Sequence, residues 1–487
     1  MLYVHATIIT ANNSRDIISD GAIFVQGSGI AAIGKSEALL KEHSHENVVD
    51  LEGRIIIPGL VNTHMHTAQT MLRGAADDLE LVSWLCERIW PLQGNFTTED
   101  GYAAARLSIS EMLKSGTTCF LESMFADRYG FDGLCKAVEE SGIRGCLGKI
   151  GTSSLRTARR WMDRRSNSRV RSHGQRYLCV RSRLGYAPRP RGRPEDRKTS
   201  LLGAVTMHEK WNGKANGRIR VWFGARTPGG VSDELYREMS AISREKGIPI
   251  TMHCAKVAAD RAFFASQNNH TPMSYCSSTN LLGPATVLVH MVHLDSGDIK
   301  TLAETGTHVV HCPSSNTKLA SGIAKVPAML AAGVNVSLGT DGAPCNNTCD
   351  MLQEMRLAGI LHKVATGDPT AVPAETVLEM ATISGAKALG LDDCIGSLEA
   401  GKKADFAVVD VRKVELQPWF SPVSAVVYTA TGRDVEMVVV DGVPVVEHGK
   451  LLTMDEEQVW TEAAAKARQV VERAGLGGKV RARWPVK

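Results

Sequence analysis

No run of about 20 apolar residues occurs anywhere in the 487-residue chain, so no membrane-spanning helix is expected. The opening MLYVHATIITANN lacks the basic region, apolar stretch and small-residue cleavage site of a secretory leader. No CxxC pair is present: the eleven cysteines are odd in number and scattered, which excludes a disulfide scaffold and favours a reducing compartment. A cytoplasmic protein is therefore expected. Nor is there an excess of one charge, the formal net charge being +4. That balance hides an asymmetry. Residues 152–198 hold fourteen Arg and one Lys against Asp163, Glu195 and Asp196, a local charge of +12, which leaves −8 for the remainder. Apolar residues make up 43%, an ordinary globular share that excludes a disordered or fibrous chain.

Eight strand-like runs are present: 54–66, 116–123, 143–150, 218–225, 248–255, 285–294, 307–316 and 333–342. Amphipathic stretches separate most of them, such as TEDGYAAARLSISEMLKSG (98–116) and SDELYREMSAISREKG (232–247). Short apolar strands alternating with helices predict a buried parallel sheet, and eight such units predict a closed (β/α)8 barrel of the TIM type over residues 54–393. The flanks, 1–53 and 394–487, read as short β runs punctuated by GSG and DG turns. Neither flank alone buries much surface, so the two are expected to pair into one small β-sandwich beside the barrel. From about Asp455 the Ala-, Glu- and Arg-rich tail reads as a helix. Segment 152–198 shows neither period. It fits a solvated loop, a frame-shifted or mis-spliced stretch replacing a barrel helix, or, least favoured, a basic arm for a polyanion. Nucleic acid is not an expected partner.

The polar residues that close these strands carry the chemistry. His64 and His66 are alternate residues of the first strand, so both imidazoles share a face at the end that forms the mouth of a barrel. His253, His290 and Asp341 close the fifth, sixth and eighth strands. Such a set suits one borderline divalent metal, zinc above all, with a position left for water. A water held there ionises near neutral pH. His290 is then an electrostatic or acid–base partner, and Asp341 both a ligand and a proton acceptor. His293 and His311 read as structural and wall residues.

PGLVNTHMH, TMHCA, VLVHMVHLD, HCPSSNTKLASG, LGTDGAPCNN and GSLEAGKKADFAVVD together resemble the amidohydrolase superfamily. Within it they resemble the branch of S-adenosylhomocysteine and methylthioadenosine deaminases, guanine deaminases and triazine hydrolases. The resemblance covers nearly the whole chain outside 152–198. It implies a barrel with a flanking β-sandwich and one metal, usually zinc and sometimes iron(II), held by His64, His66, His253 and Asp341. It gives His290 the acid–base role. The fourth strand ends WFGAR, without a lysine to bridge two metals, so a mononuclear site follows.

The chain departs from this pattern after the fifth strand. The branch reads His-x-x-Glu there, with the glutamate shuttling a proton to the substrate ring; here the run is His253-Cys254-Ala255-Lys256. Lysine has a reference pKa of about 10.4 and cannot accept a proton while charged. Either Lys256 is recruited as the shuttle or the enzyme is weakened or dead, and the second reading is favoured. Glu122 is a substitute base only in the second rank. For substrate, Gln69 and Arg226 resemble the guanine deaminase pair that reads an oxopurine edge. LRGAADDLELVSWLCERIWPLQ instead resembles the adenosine-type enzymes, with Trp84 as a stacking wall. The expected activity is hydrolytic deamination of a purine-like heterocycle, a small-molecule substrate. The alternatives are a non-catalytic barrel scaffold and, more distantly, triazine dehalogenation or dealkylamination. Barrels of this branch often form homodimers.

Overall fold

The computed structural model describes residues 1–150, 197–228, 230–266 and 269–480. The Arg-rich segment lies outside the described residues but for its last two positions, which open the helix Arg197–Trp211. The chain begins with β1 (Leu2–Ile9), β2 (Ile17–Gln26), β3 (Gly29–Lys35), β4 (Val48–Asp50) and β5 (Ile55–Pro58). The eight strands that follow are β6 (Leu60–Met65), β7 (Thr117–Phe125), β8 (Arg144–Ile150), β9 (Ile219–Gly224), β10 (Ile250–Cys254), β11 (Thr286–His290), β12 (His308–His311) and β13 (Val336–Leu338). Last come β14 (Phe406–Val409), β15 (Val435–Val440), β16 (Val443–Glu447) and β17 (Lys450–Leu451).

Strands β6 to β13 form one parallel sheet in chain order, each paired with the next. The seam between β13 and β6 is closed by a bridge from Met65 to Asp341 and by Asp341 N donating to His64 O at 2.9 Å. Val61 on β6, Trp222 on β9 and Val310 on β12 share one buried apolar cluster. Strands so far apart in the order meet only if the sheet curls into a barrel around that plug. Each of the eight runs read from the sequence supplies one of its strands.

The helices follow their capping residues. Thr98–Lys114 starts in a reciprocal capping box between Thr97 and Asp100, and Asp233–Lys246 runs from the cap Ser232 to the left-handed Gly247. The tail is the helix Glu456–Arg473, capped by Asp455. It lies on Thr98–Lys114 through Arg106–Glu462 (3.3 Å) and Lys114–Glu456.

The flanking layer is a nine-stranded mixed sheet built from both chain ends, in the order β17-β16-β15-β14-β5-β1-β2-β3 with β4 on β1. Ile23 of β2 and Val439 of β15, well separated in that order, share an apolar cluster with Phe406, so the layer folds over on itself. The run 54–66 is not the single strand that its apolar pattern suggests. It breaks at Gly59: β5 pairs with β1 and β14 in the flanking layer, while β6 enters the barrel. A Cβ on Gly59 would stand 2.0 Å from Thr118 Oγ1, so the close approach to β7 requires glycine. Both halves are fully buried, and the hydrophobic pattern therefore carries no mark of the break.

Candidate active site

The C-terminal ends of the barrel strands bring the polar residues together. His64 lies within β6 and His66 just beyond it, His253 in β10 and His290 at the end of β11; Asp341 follows β13 by three residues. His66 Nε2 is 3.1 Å from His253 Nε2, and both His64 Nε2 and His66 Nε2 are 3.4 Å from Asp341 Oδ1. His290 Nε2 stands 3.7 Å from Asp341 Oδ2. Zinc bonds of about 2.0–2.2 Å in a tetrahedron give donor–donor edges of roughly 3.3–3.5 Å, close to the spacings found.

The donor chemistry fits a divalent ion. His64 and His290 each keep both ring nitrogens buried and without a hydrogen-bond partner among the described residues. Burial holds the His64 imidazole below its ordinary range and His253 and His290 well below it, so all three are neutral nitrogen donors at neutral pH. His253 Nδ1 contacts the Arg226 carbonyl at 2.8 Å, which makes Nδ1 the donor and leaves the Nε2 lone pair for the centre. Burial alone would raise the Asp341 carboxyl, but the Lys256 ammonium and His64 hold it well below the carboxylate range. The backbone is left-handed at Ala255 (φ +50°), His290 (+77°) and Asp341 (+59°), three non-glycine residues gathered at the mouth. Strain of about 1–3 kcal/mol each persists only where surrounding contacts enforce it.

Lys256 also belongs to this cluster. Its Nζ donates to Asp341 Oδ2 at 3.0 Å and to Ser315 Oγ at 2.9 Å, and Ser315 Oγ in turn donates to the same carboxylate oxygen at 2.6 Å. Burial opposes the ammonium, yet Asp341 outweighs it and raises the pKa above the ordinary lysine value. A charged donor therefore stands where a proton acceptor would be needed. Glu122 does not replace it. One of its oxygens accepts from Thr67 N (2.6 Å) and Thr67 Oγ1 (2.5 Å), the other from Met124 N (3.0 Å), so it braces the turn after His66.

A cavity of about 920 Å³, its mouth included, opens beside the histidines. Gln69, Trp84 and Arg226 all line it, as do Trp90, Leu81 and Met124. The Arg226 guanidinium lies 5.6 Å from the Trp90 ring centroid and forms no ion pair among the described residues. Gln69 Oε1 and Trp84 Nε1 are buried without hydrogen-bond partners among the described residues. His293 and His311 stand apart: His293 Nε2 meets Ser321 O at 2.8 Å, and His311 Nε2 meets His362 Nε2 at 3.1 Å. Sequence reasoning missed Ser315 and Trp90. Both sit inside segments singled out by their motifs, but no spacing rule marks either as a site residue.

Comparison with known proteins identifies the family. Residues 55–445 match the amidohydrolase family. The chain is 37% identical over 470 residues to a 5-methylthioadenosine/S-adenosylhomocysteine deaminase of Pelotomaculum thermopropionicum, covering 96% of this chain and 98% of that protein. It is 36% identical over 471 residues to a 5'-deoxyadenosine deaminase of Methanosarcina acetivorans, with coverage of 96% and 98%. Among solved structures, a zinc-bound adenosine deaminase from Xanthomonas campestris superposes with a TM-score of 0.83 at 29% identity, covering 97% of this chain and 98% of that one.

Proposed function

Because the chain belongs to the amidohydrolase family, we propose that it is a metal-dependent aminohydrolase acting on an adenosine-type nucleoside. Water adds to the ring carbon bearing the amine, ammonia leaves, and an oxo group remains. The observation that carries this reading is the convergence of three imidazole Nε2 atoms and one carboxylate oxygen beside a largely apolar cavity.

His64, His66, His253 and Asp341 Oδ1 would hold one ion, zinc by preference, with iron(II) also suited to nitrogen and oxygen donors. Bound there, such an ion supplies a water that ionises near neutral pH. Asp341 Oδ2 already accepts from Lys256 and Ser315, so the neutral His290, 3.7 Å from it and with both ring nitrogens free of partners among the described residues, would be the group to take a proton from that water. Trp84 and Trp90 supply flat apolar walls for a heterocycle. Lys256, held as a cationic donor on Asp341, cannot accept the water proton and pass it to the ring, so turnover is slow at that transfer.

The test is ammonia release from adenosine, 5'-deoxyadenosine, methylthioadenosine and S-adenosylhomocysteine, with metal content measured on the same samples. Lys256→Glu is expected to raise turnover by about 10²–10⁴, the usual worth of a positioned acid–base group. A metal-loaded Lys256→Glu protein with no activity on any purine would overturn the reading and leave a barrel scaffold. The Arg226 fork, without an ion pair among the described residues and lining the same cavity as Gln69, favours a second substrate class, oxopurine bases of the guanine type. If that class is the true one, guanine is deaminated faster than any adenosine, and Arg226→His reverses the order.

A further inference from the structure

Behind the metal-facing side of Asp341 stands a carboxyl group that the chemistry above does not use. Glu354 lies on the helix Met351–Thr366 and is completely buried. A carboxyl group taken out of water is costly unless several donors meet it. Two do. Its Oε1 accepts from Asn346 Nδ2 at 2.7 Å and its Oε2 from Ser314 N at 3.3 Å.

These donors belong to the two segments that fix Asp341. Asn346 Nδ2 also donates to Thr340 O at 2.8 Å, on the residue just before Asp341. Ser314 precedes Ser315, whose hydroxyl donates to Asp341 Oδ2. Asp341 itself has a left-handed backbone, which its own local preferences do not hold in place. We infer that Glu354 is a positioning residue: it clamps the Thr340–Asn346 turn to the segment bearing Ser315, and so sets where Asp341 presents its oxygens. The inference rests on Asp341 being a metal donor.

Glu354→Gln keeps the volume but sets an amide NH₂ against one of the two N–H donors, opening one arm of the clamp. Asn346→Ala cuts the Asn346 arm from the other end and serves if the first variant does not fold. Each is compared with the unaltered protein by zinc affinity in competition with a chromophoric chelator, by the visible spectrum of the cobalt(II)-substituted form, and by melting of the metal-free form. Groups that orient ligands from behind typically account for about 10–100-fold in metal affinity. The expected result is a loss of that size, with a changed cobalt(II) spectrum, in variants whose metal-free melting stays within a few degrees of the original. Equal zinc affinity and an unchanged spectrum in a folded variant overturn the inference, as does lost stability with metal affinity intact. An unaltered protein that takes up no zinc sinks the metal reading, and the inference with it.

Discussion

Gly342 and Gln69 meet where the turn after Asp341 passes the cavity wall. A Cβ on Gly342 would stand 2.0 Å from Gln69 Oε1, although the backbone there (φ −77°) suits any residue. Gly342→Ala should therefore push Gln69 from its place without straining the main chain. We expect a raised KM, unchanged metal content, and a stability loss of about 1–3 kcal/mol from overpacking, all readable from kinetics and urea melts. The buried histidines make a second prediction. Burial lowers His362 to about 4 and holds His311 well below its ordinary value. On unfolding both return to about 6.5, so below that pH the unfolded chain binds more protons. Stability of the metal-free protein is then complete above pH 6.5 and falls as pH drops toward 4. Urea titrations between pH 4 and 7.5 check the slope, and a flat profile would refute it. At this scale the gathering of His64, His66, His253, His290 and Asp341 was legible because each is a polar residue at or just past the end of an apolar strand. Ser315 and Glu354 were not legible: their roles depend on contacts with Asp341 and Asn346, made by segments that nothing in local spacing links to them.

Elements were legible where local chemistry marks their ends. Thr97 with Asp100, and Ser232 with Gly247, bound two helices that the sequence places to within two residues. Thr97→Ala should cost about 0.5–2 kcal/mol, measured by urea unfolding, and leave metal content untouched. The break at Gly59 was illegible for the opposite reason, since burial is complete on both sides of it. The terminal helix was legible as a helix but not as a partner of Thr98–Lys114, because its ion pairs reach across more than 300 residues of chain.

For the whole molecule, the donors of the candidate centre come from both sides of the barrel seam and from β10 across the sheet. An ion bound there ties together strands that are distant in sequence and binds only the folded chain. Zinc at about 1,000 times its dissociation constant should stabilise by about 4 kcal/mol. Thermal melts should rise with zinc and fall with chelator, and His64→Ala should abolish the response. No helix among the described residues is long and apolar enough to cross a membrane.

The splice at Gly59 has a consequence for biosynthesis. Strand β5 finds one neighbour, β1, at once, but its other neighbour, β14, is encoded roughly 350 residues later. At about 5–20 residues per second a ribosome needs roughly 20–70 s to reach it. Throughout that interval Ile55, Ile56 and Ile57 lie on an open strand edge, attached directly to the strand that carries His64 and His66. The nascent chain is thus most prone to aggregate before β14 is made, and expression should respond to chaperone supply more than to zinc.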